Sequence, residues 1–80
     1  MSVEDGAEGS IALVGACGLD DAEPLLGRLL ADRHAVVDLR RCERLHTAVL
    51  QVLLASRASV RGPARGRFLR DRVEPLLRSR

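Results

Sequence analysis

Eighty residues make one small domain, which buries only about 60–65% of the surface its unfolded chain exposes and so leaves room for a protein partner or a homodimer to cover more. Apolar residues make up 46% of the chain and recur periodically, but Phe68 is the only aromatic, so the core must be built from Leu, Val and Ala; this composition excludes a disordered or fibrous chain. The net charge of +2 hides an asymmetry, because residues 1–56 hold five Arg against nine Asp and Glu, whereas residues 57–80 hold eight Arg against Asp71 and Glu74, and the absence of Lys favours planar, multi-donor contacts over point-charge attraction.

Residues 1–9 are polar, acidic and glycine-containing, and read as a disordered arm preceding a single domain over 10–80. Residues 10–16 form a short apolar run with Ile11 and Val14, which fits a buried strand and is too short for a helix. Gly18 breaks that run. Asp20 or Asp21 is then placed to cap a helix over 21–32, with Asp20 and Glu23 at capping-box spacing and Pro24 tolerable near the start. Ala22, Leu25, Leu26, Leu29 and Leu30 follow the i, i+3, i+4 pattern of a buried stripe.

After a turn containing His34, residues 35–39 read as a second strand, and, where the two strands are neighbours in one sheet, strand, helix, strand makes a βαβ unit with parallel strands. Asp38 reads as a polar group at that strand's end. A charged turn over 40–44 leads into a second helix over 47–57, capped at Thr47, with Val49, Leu50, Leu53 and Leu54 inward and Gln51 outward. Gly62, Pro63 and Gly66 mark a loop, residues 67–69 fit a third, very short strand, and Asp71 is placed to cap a helix over 71–79 with Val73, Leu76 and Leu77 inward. Pro75 at its fourth position removes a donor and delays or kinks that helix.

Several function classes are disfavoured. There is no run of about 18 apolar residues, and the acidic start lacks the basic and apolar regions of a signal peptide, so no membrane insertion and a cytoplasmic location are expected. Cys17 and Cys42 are too few for a disulfide framework and are expected as free thiols. With His46 they follow parallel strands and gather at one sheet edge, but a structural zinc site needs about four ligands and no Cys-x-x-Cys spacing occurs, so no metal or cofactor is expected. The Arg-rich end lacks interleaved aromatics and a nucleic-acid motif, and the acidic residues 1–56 oppose nucleic acid, which favours a solvated basic face or one docking an acidic partner over nucleic acid. No nucleophile elbow, phosphate loop or His-Glu-x-x-His motif is present, and no enzyme is expected.

Gly15 to Leu19 before an Asp-capped helix, then Val36-Val-Asp-Leu39, Leu45-His-Thr-Ala48 and Leu50-Gln-Val-Leu-Leu54, resemble a STAS domain, the fold of bacterial anti-sigma-factor antagonists. The resemblance covers residues 10–57. It implies a minimal α/β STAS-like fold, with a small, mainly parallel sheet of about three strands packed by two to three helices. It also implies a non-enzymatic protein-interaction module of bacterial signalling, with a serine kinase, anti-sigma factor or other regulator as partner.

In that family a Val-Asp-Leu-type strand leads to an Asp-Ser-Ser-Gly-Leu or Asp-Thr-Ala-Gly-Leu junction opening a helix. Thr47 matches the Ser/Thr that a kinase phosphorylates, and His46, Thr47, Ala48 and Gln51 are the partner-interface candidates the resemblance implies. A helix N-terminus tolerates the added charge of about −1.5 to −2. His46 stands where the family usually has Asp, and Val49 where it usually has Gly. The chain is shorter than the family pattern, with an N-terminal strand and much of the region after Arg57 expected to be missing. The STAS subunit of lipid-trafficking ABC transporters, which shares Thr at the junction, supplies an alternative role as a docking subunit.

Overall fold

The computed structural model describes residues 2–78 and opens with an antiparallel pair, β1 (Ser2–Asp5) and β2 (Ile11–Cys17), joined through a 3-10 turn at Ala7–Gly9. This corrects the expectation of a disordered arm over 1–9 and of a missing N-terminal strand; Met1, and residues 79 and 80 of the expected 10–80 domain, lie outside the described residues. The backbone ladder explains why composition hid the strand: of residues 3–5 only Val3 packs on the core, while Glu4 and Asp5 are exposed. Asp5 pairs with Arg28, but both side chains reach solvent and such pairs add little.

A 3-10 turn (Leu19–Asp21) precedes α1 (Ala22–Ala31). Neither aspartate caps α1 as expected: the Asp21 carboxylate instead accepts from the Gly18 amide at 2.9 Å, tightening the turn ahead of the helix. α1 returns the chain to β3 (Val36–Asp38), which pairs in parallel with β2 as the βαβ reading requires.

Asp38 then ends β3. Its carboxylate accepts from the Arg40 amide at 2.9 Å, an Asx-type turn, and from the Arg40 guanidinium at 2.7–3.2 Å. β4 (Cys42–Leu45) follows, where a charged turn was expected, and pairs in parallel with the second half of β2. The register slips between Gly15 and Ala16, and Gly15 takes φ +73° there, a conformation that a side chain would strain.

α2 (Thr47–Ser56) closes in a Schellman arrangement, with Arg57 left-handed and the Ala58 amide donating to the Leu53 carbonyl at 3.2 Å. β5 (Ser59–Arg61) adds in parallel to β3, giving a five-stranded mixed sheet in the order β1-β2-β3-β5, with β4 paired to β2. The domain is therefore α/β as expected, but with five strands in mixed orientation instead of about three mainly parallel ones.

Residues 67–69 are not a strand. The chain is helical over 67–78, with a π turn at Leu69–Val73 running into α3 (Glu74–Arg78), and Asp71 lies inside this segment instead of capping it. Pro75 supplies a reason for the widened turn. In a regular α-helix its ring would press on the carbonyl four residues back, at Asp71, and the Glu74 amide instead donates five residues back, to Leu69.

Ile11, Leu13, Val37 and Cys42 of the sheet, with Leu39 just beyond β3, pack with Leu25 and Leu29 of α1 and Val49 and Leu53 of α2, all at most 4% exposed. Each large side chain so buried contributes about 1.5–3 kcal/mol. The helical stripes are narrower than their periodicity suggests: Leu26, Leu30, Leu54 and Leu76 are exposed and Leu50 and Val73 half-buried. No helix among the described residues is long and apolar enough to cross a membrane.

Candidate functional site

The strand-to-helix junction between β4 and α2 is held by its backbone. The His46 amide donates to the Cys17 carbonyl at 2.8 Å, fixing the end of β4 beside the end of β2, and the His46 carbonyl accepts from Val49 and Leu50 at 2.9 and 3.1 Å to start α2. The cap is His46, not Thr47 as expected: its Nδ1 accepts from the Ala48 amide at 3.0 Å. The His46 ring nitrogen thus satisfies one of the amides left open at the start of α2.

Freed from capping, Thr47 is the first helical residue, exposed, and without a side-chain hydrogen bond among the described residues. Gln51, one turn on, shares its side of the helix and is also exposed. His46 is exposed and Ala48 half-buried, so of the four sequence-derived interface candidates, which lie within the first turn and a half of α2, three are exposed. Val49 points the other way, fully buried in the core.

Beside this turn lies an apolar hollow of about 290 Å³ whose walls are Leu45, Leu50, Phe68, Leu69 and Val73. Thr47, Glu43 and Arg44 complete the lining. The hollow exists because the segment after β5 is pinned onto β4. The amides of Arg65 and Gly66 both donate to the Cys42 carbonyl, at 3.0 and 3.1 Å, and Gly66 lies so close to the Glu43 carbonyl that a Cβ there would collide with it. From that clamp the helical segment rises and places Phe68, 72% exposed, over the junction. Phe68 and Val73 were not among the sequence-derived site residues; the signal available was a lone aromatic set among arginines. A larger hollow, about 370 Å³, is built from the end of α2, β5 and α3 and contains none of the sequence-derived candidates.

The two cysteines are free and buried. Their thiols donate to the carbonyls of Val14 and Arg44, at 3.7 and 3.6 Å. A hydrogen bond with Cys17, reinforced by burial, holds the Cys42 thiol well above the ordinary thiol range, so Cys42 stays protonated. His46 comes near them through its backbone while its ring is engaged at the helix cap. Among the described residues no group of three or more His, Cys, Asp or Glu side chains is arranged to hold a metal ion.

Comparisons with protein-family models, with curated proteins and with solved structures return no match for this chain.

Proposed function

We propose that this domain is a STAS-like, non-enzymatic protein-interaction module of bacterial signalling that acts through the first turn of α2, with Thr47 as its switch position. The observation that carries the reading is the division of labour at that turn. His46 does the capping, and Thr47 is left exposed and unbonded among the described residues, next to Gln51 and an apolar hollow. A residue needed only for the cap would have its side chain engaged. The order β2, α1, β3 with β4, and α2 is compatible with the residues on which the STAS resemblance rests, which run from β2 through the junction into α2.

Phosphate on Thr47 would sit at the amide end of a ten-residue helix, where the helix dipole favours anions. It would also place about −1.5 to −2 charge beside the hollow and its Arg44, changing what the surface attracts. The partner expected is a serine kinase, anti-sigma factor or related regulator.

Two measurements test this reading. Mass spectrometry of the protein from its native cell, and after incubation with a candidate serine kinase, is expected to find phosphate on Thr47; its absence in both samples sinks the switch. Affinity capture with the wild-type chain and with Gln51→Arg is expected to recover a kinase or sigma regulator only with wild type. Recovery of an ABC ATPase would assign the module to the transporter-docking role instead.

A further inference from the structure

We infer that the hollow between α2 and the Phe68 segment is a docking site for an acidic peptide segment of a partner protein, a segment that inserts one apolar side chain and surrounds it with Asp or Glu. This deepens the interaction-module reading and rests on it. The apolar half of the argument is geometric. Five hydrophobic side chains enclose a space of about 290 Å³, large enough for one or two side chains but small for a whole helix, and Phe68 stands open at its edge. An aromatic that is 72% exposed in a chain with no other aromatic loses that exposure when a partner's side chain packs on it, and such anchors dominate interface energetics.

The charged half commits the occupant. Arg44 lines the hollow, and Arg67 and Arg72 precede the lining residues Phe68 and Val73 in the chain; all three are exposed and have no carboxylate partner among the described residues. Nearby Arg70 is matched by Asp71, and Arg65 by Glu43 at 3.9 Å. The hollow itself is lined by Arg44 and by Glu43, which faces Arg65, and the helical segment that supplies Phe68 and Val73 carries Arg67 and Arg72, so the two elements that form the cleft hold three guanidiniums without a carboxylate partner among the described residues. Guanidinium groups bind carboxylates in two-point contacts, so the complementary surface is an acidic peptide with a hydrophobic centre. Thr47 is part of the lining, which connects docking to the switch: phosphate there would repel an acidic occupant and attract Arg44 to itself.

The test is selection of random displayed peptides on the full chain at low ionic strength, followed by titration of the enriched sequence, fluorescein-labelled, by anisotropy. The expected consensus is one Leu, Ile, Met or Phe among Asp and Glu. Phe68→Ala should weaken the synthetic peptide about thirtyfold, as for loss of a buried aromatic anchor. Arg44→Glu and Thr47→Asp should each weaken it about tenfold, and the wild-type affinity should fall as salt is raised. Phe68 is exposed, so its substitution leaves the fold intact, which circular dichroism checks.

No enrichment, a basic or uncharged consensus, or an acidic peptide indifferent to Phe68→Ala overturns the assignment. So does Arg44-dependent binding of random duplex DNA with no peptide selected, or a concentration-dependent dimer abolished by Phe68→Ala. If capture recovers a regulator through Gln51 while no acidic peptide is selected, the docking assignment falls and the module reading stands. If the peptide binds as described while Thr47 is never phosphorylated, the docking assignment stands and the switch falls.

Discussion

At the scale of single residues, the junction shows how a departure from a familiar pattern can keep its physics. His46, an uncommon capping residue, caps α2 through Nδ1. The sequence made the position visible but misassigned the cap to Thr47, because Thr is a common capping residue and His an uncommon one. His46→Ala should cost about 1 kcal/mol in urea unfolding, and His46→Asn or His46→Asp should restore most of it. Asp38 has a different kind of role, setting the turn that separates β3 from β4. Its hydrogen bonds from Arg40 hold the carboxyl below its ordinary value, against a smaller opposing effect of burial. A folded-state value below the unfolded one means that the stabilisation is present above the unfolded carboxylate range, near pH 4, and is lost as pH falls through the folded value. Asp38→Asn should therefore lower stability at neutral pH and flatten the loss of stability as pH falls below about 4, measured by thermal unfolding across the acid range.

At the scale of elements, what could be read in advance was whatever periodicity controls. β2, α1, β3 and α2 fall within two residues of their expected positions, since each carries a run of apolar side chains that one face of the fold buries. β4 was obscured because Glu43 and Arg44, adjacent and both exposed, break the alternation of a strand at the register slip. β5 has only Val60 to mark it, and a three-residue stretch around Phe68 could not reveal whether it was strand or helix. Glu74 was also invisible in the sequence as a structural group. It is 6% exposed, accepts the buried Ala64 amide at 2.9 Å, and receives Arg78 at 2.7 Å, tying α3 to the loop after β5. Glu74→Ala would leave the Ala64 amide buried and unpaired, so it should cost about 1–3 kcal/mol in urea unfolding. Glu74→Gln keeps an acceptor and should cost less. Because α3 continues from the Phe68 segment, Glu74→Ala should also loosen the hollow beside Thr47.

At the scale of the whole molecule, the chain builds a sheet with a minimal amount of apolar material, and β1 is where that economy is most exposed. The strand contributes one half-buried hydrophobe, Val3, yet through its ladder from Ser2 opposite Val14 to Asp5 opposite Ile11 it covers an edge of the central strand. β2 already carries β3 and β4, so the loss of β1 would leave the most buried strand of the domain with unpaired backbone groups. Deleting residues 1–5 should lower stability by about 2–4 kcal/mol, from several ladder hydrogen bonds worth about 1 kcal/mol each and the burial lost at Val3. That is a large part of the 5–15 kcal/mol typical of a domain. Thermal unfolding should record the loss, and light scattering should record association, because an uncovered edge is a template for pairing with another chain. Glu4→Ala with Asp5→Ala keeps the backbone ladder and removes the exposed ion pairs to Arg41 and Arg28, and should leave both readings near wild type. Destabilisation by the double alanine variant equal to that of the deletion would place the strand's contribution in its charges instead of its ladder.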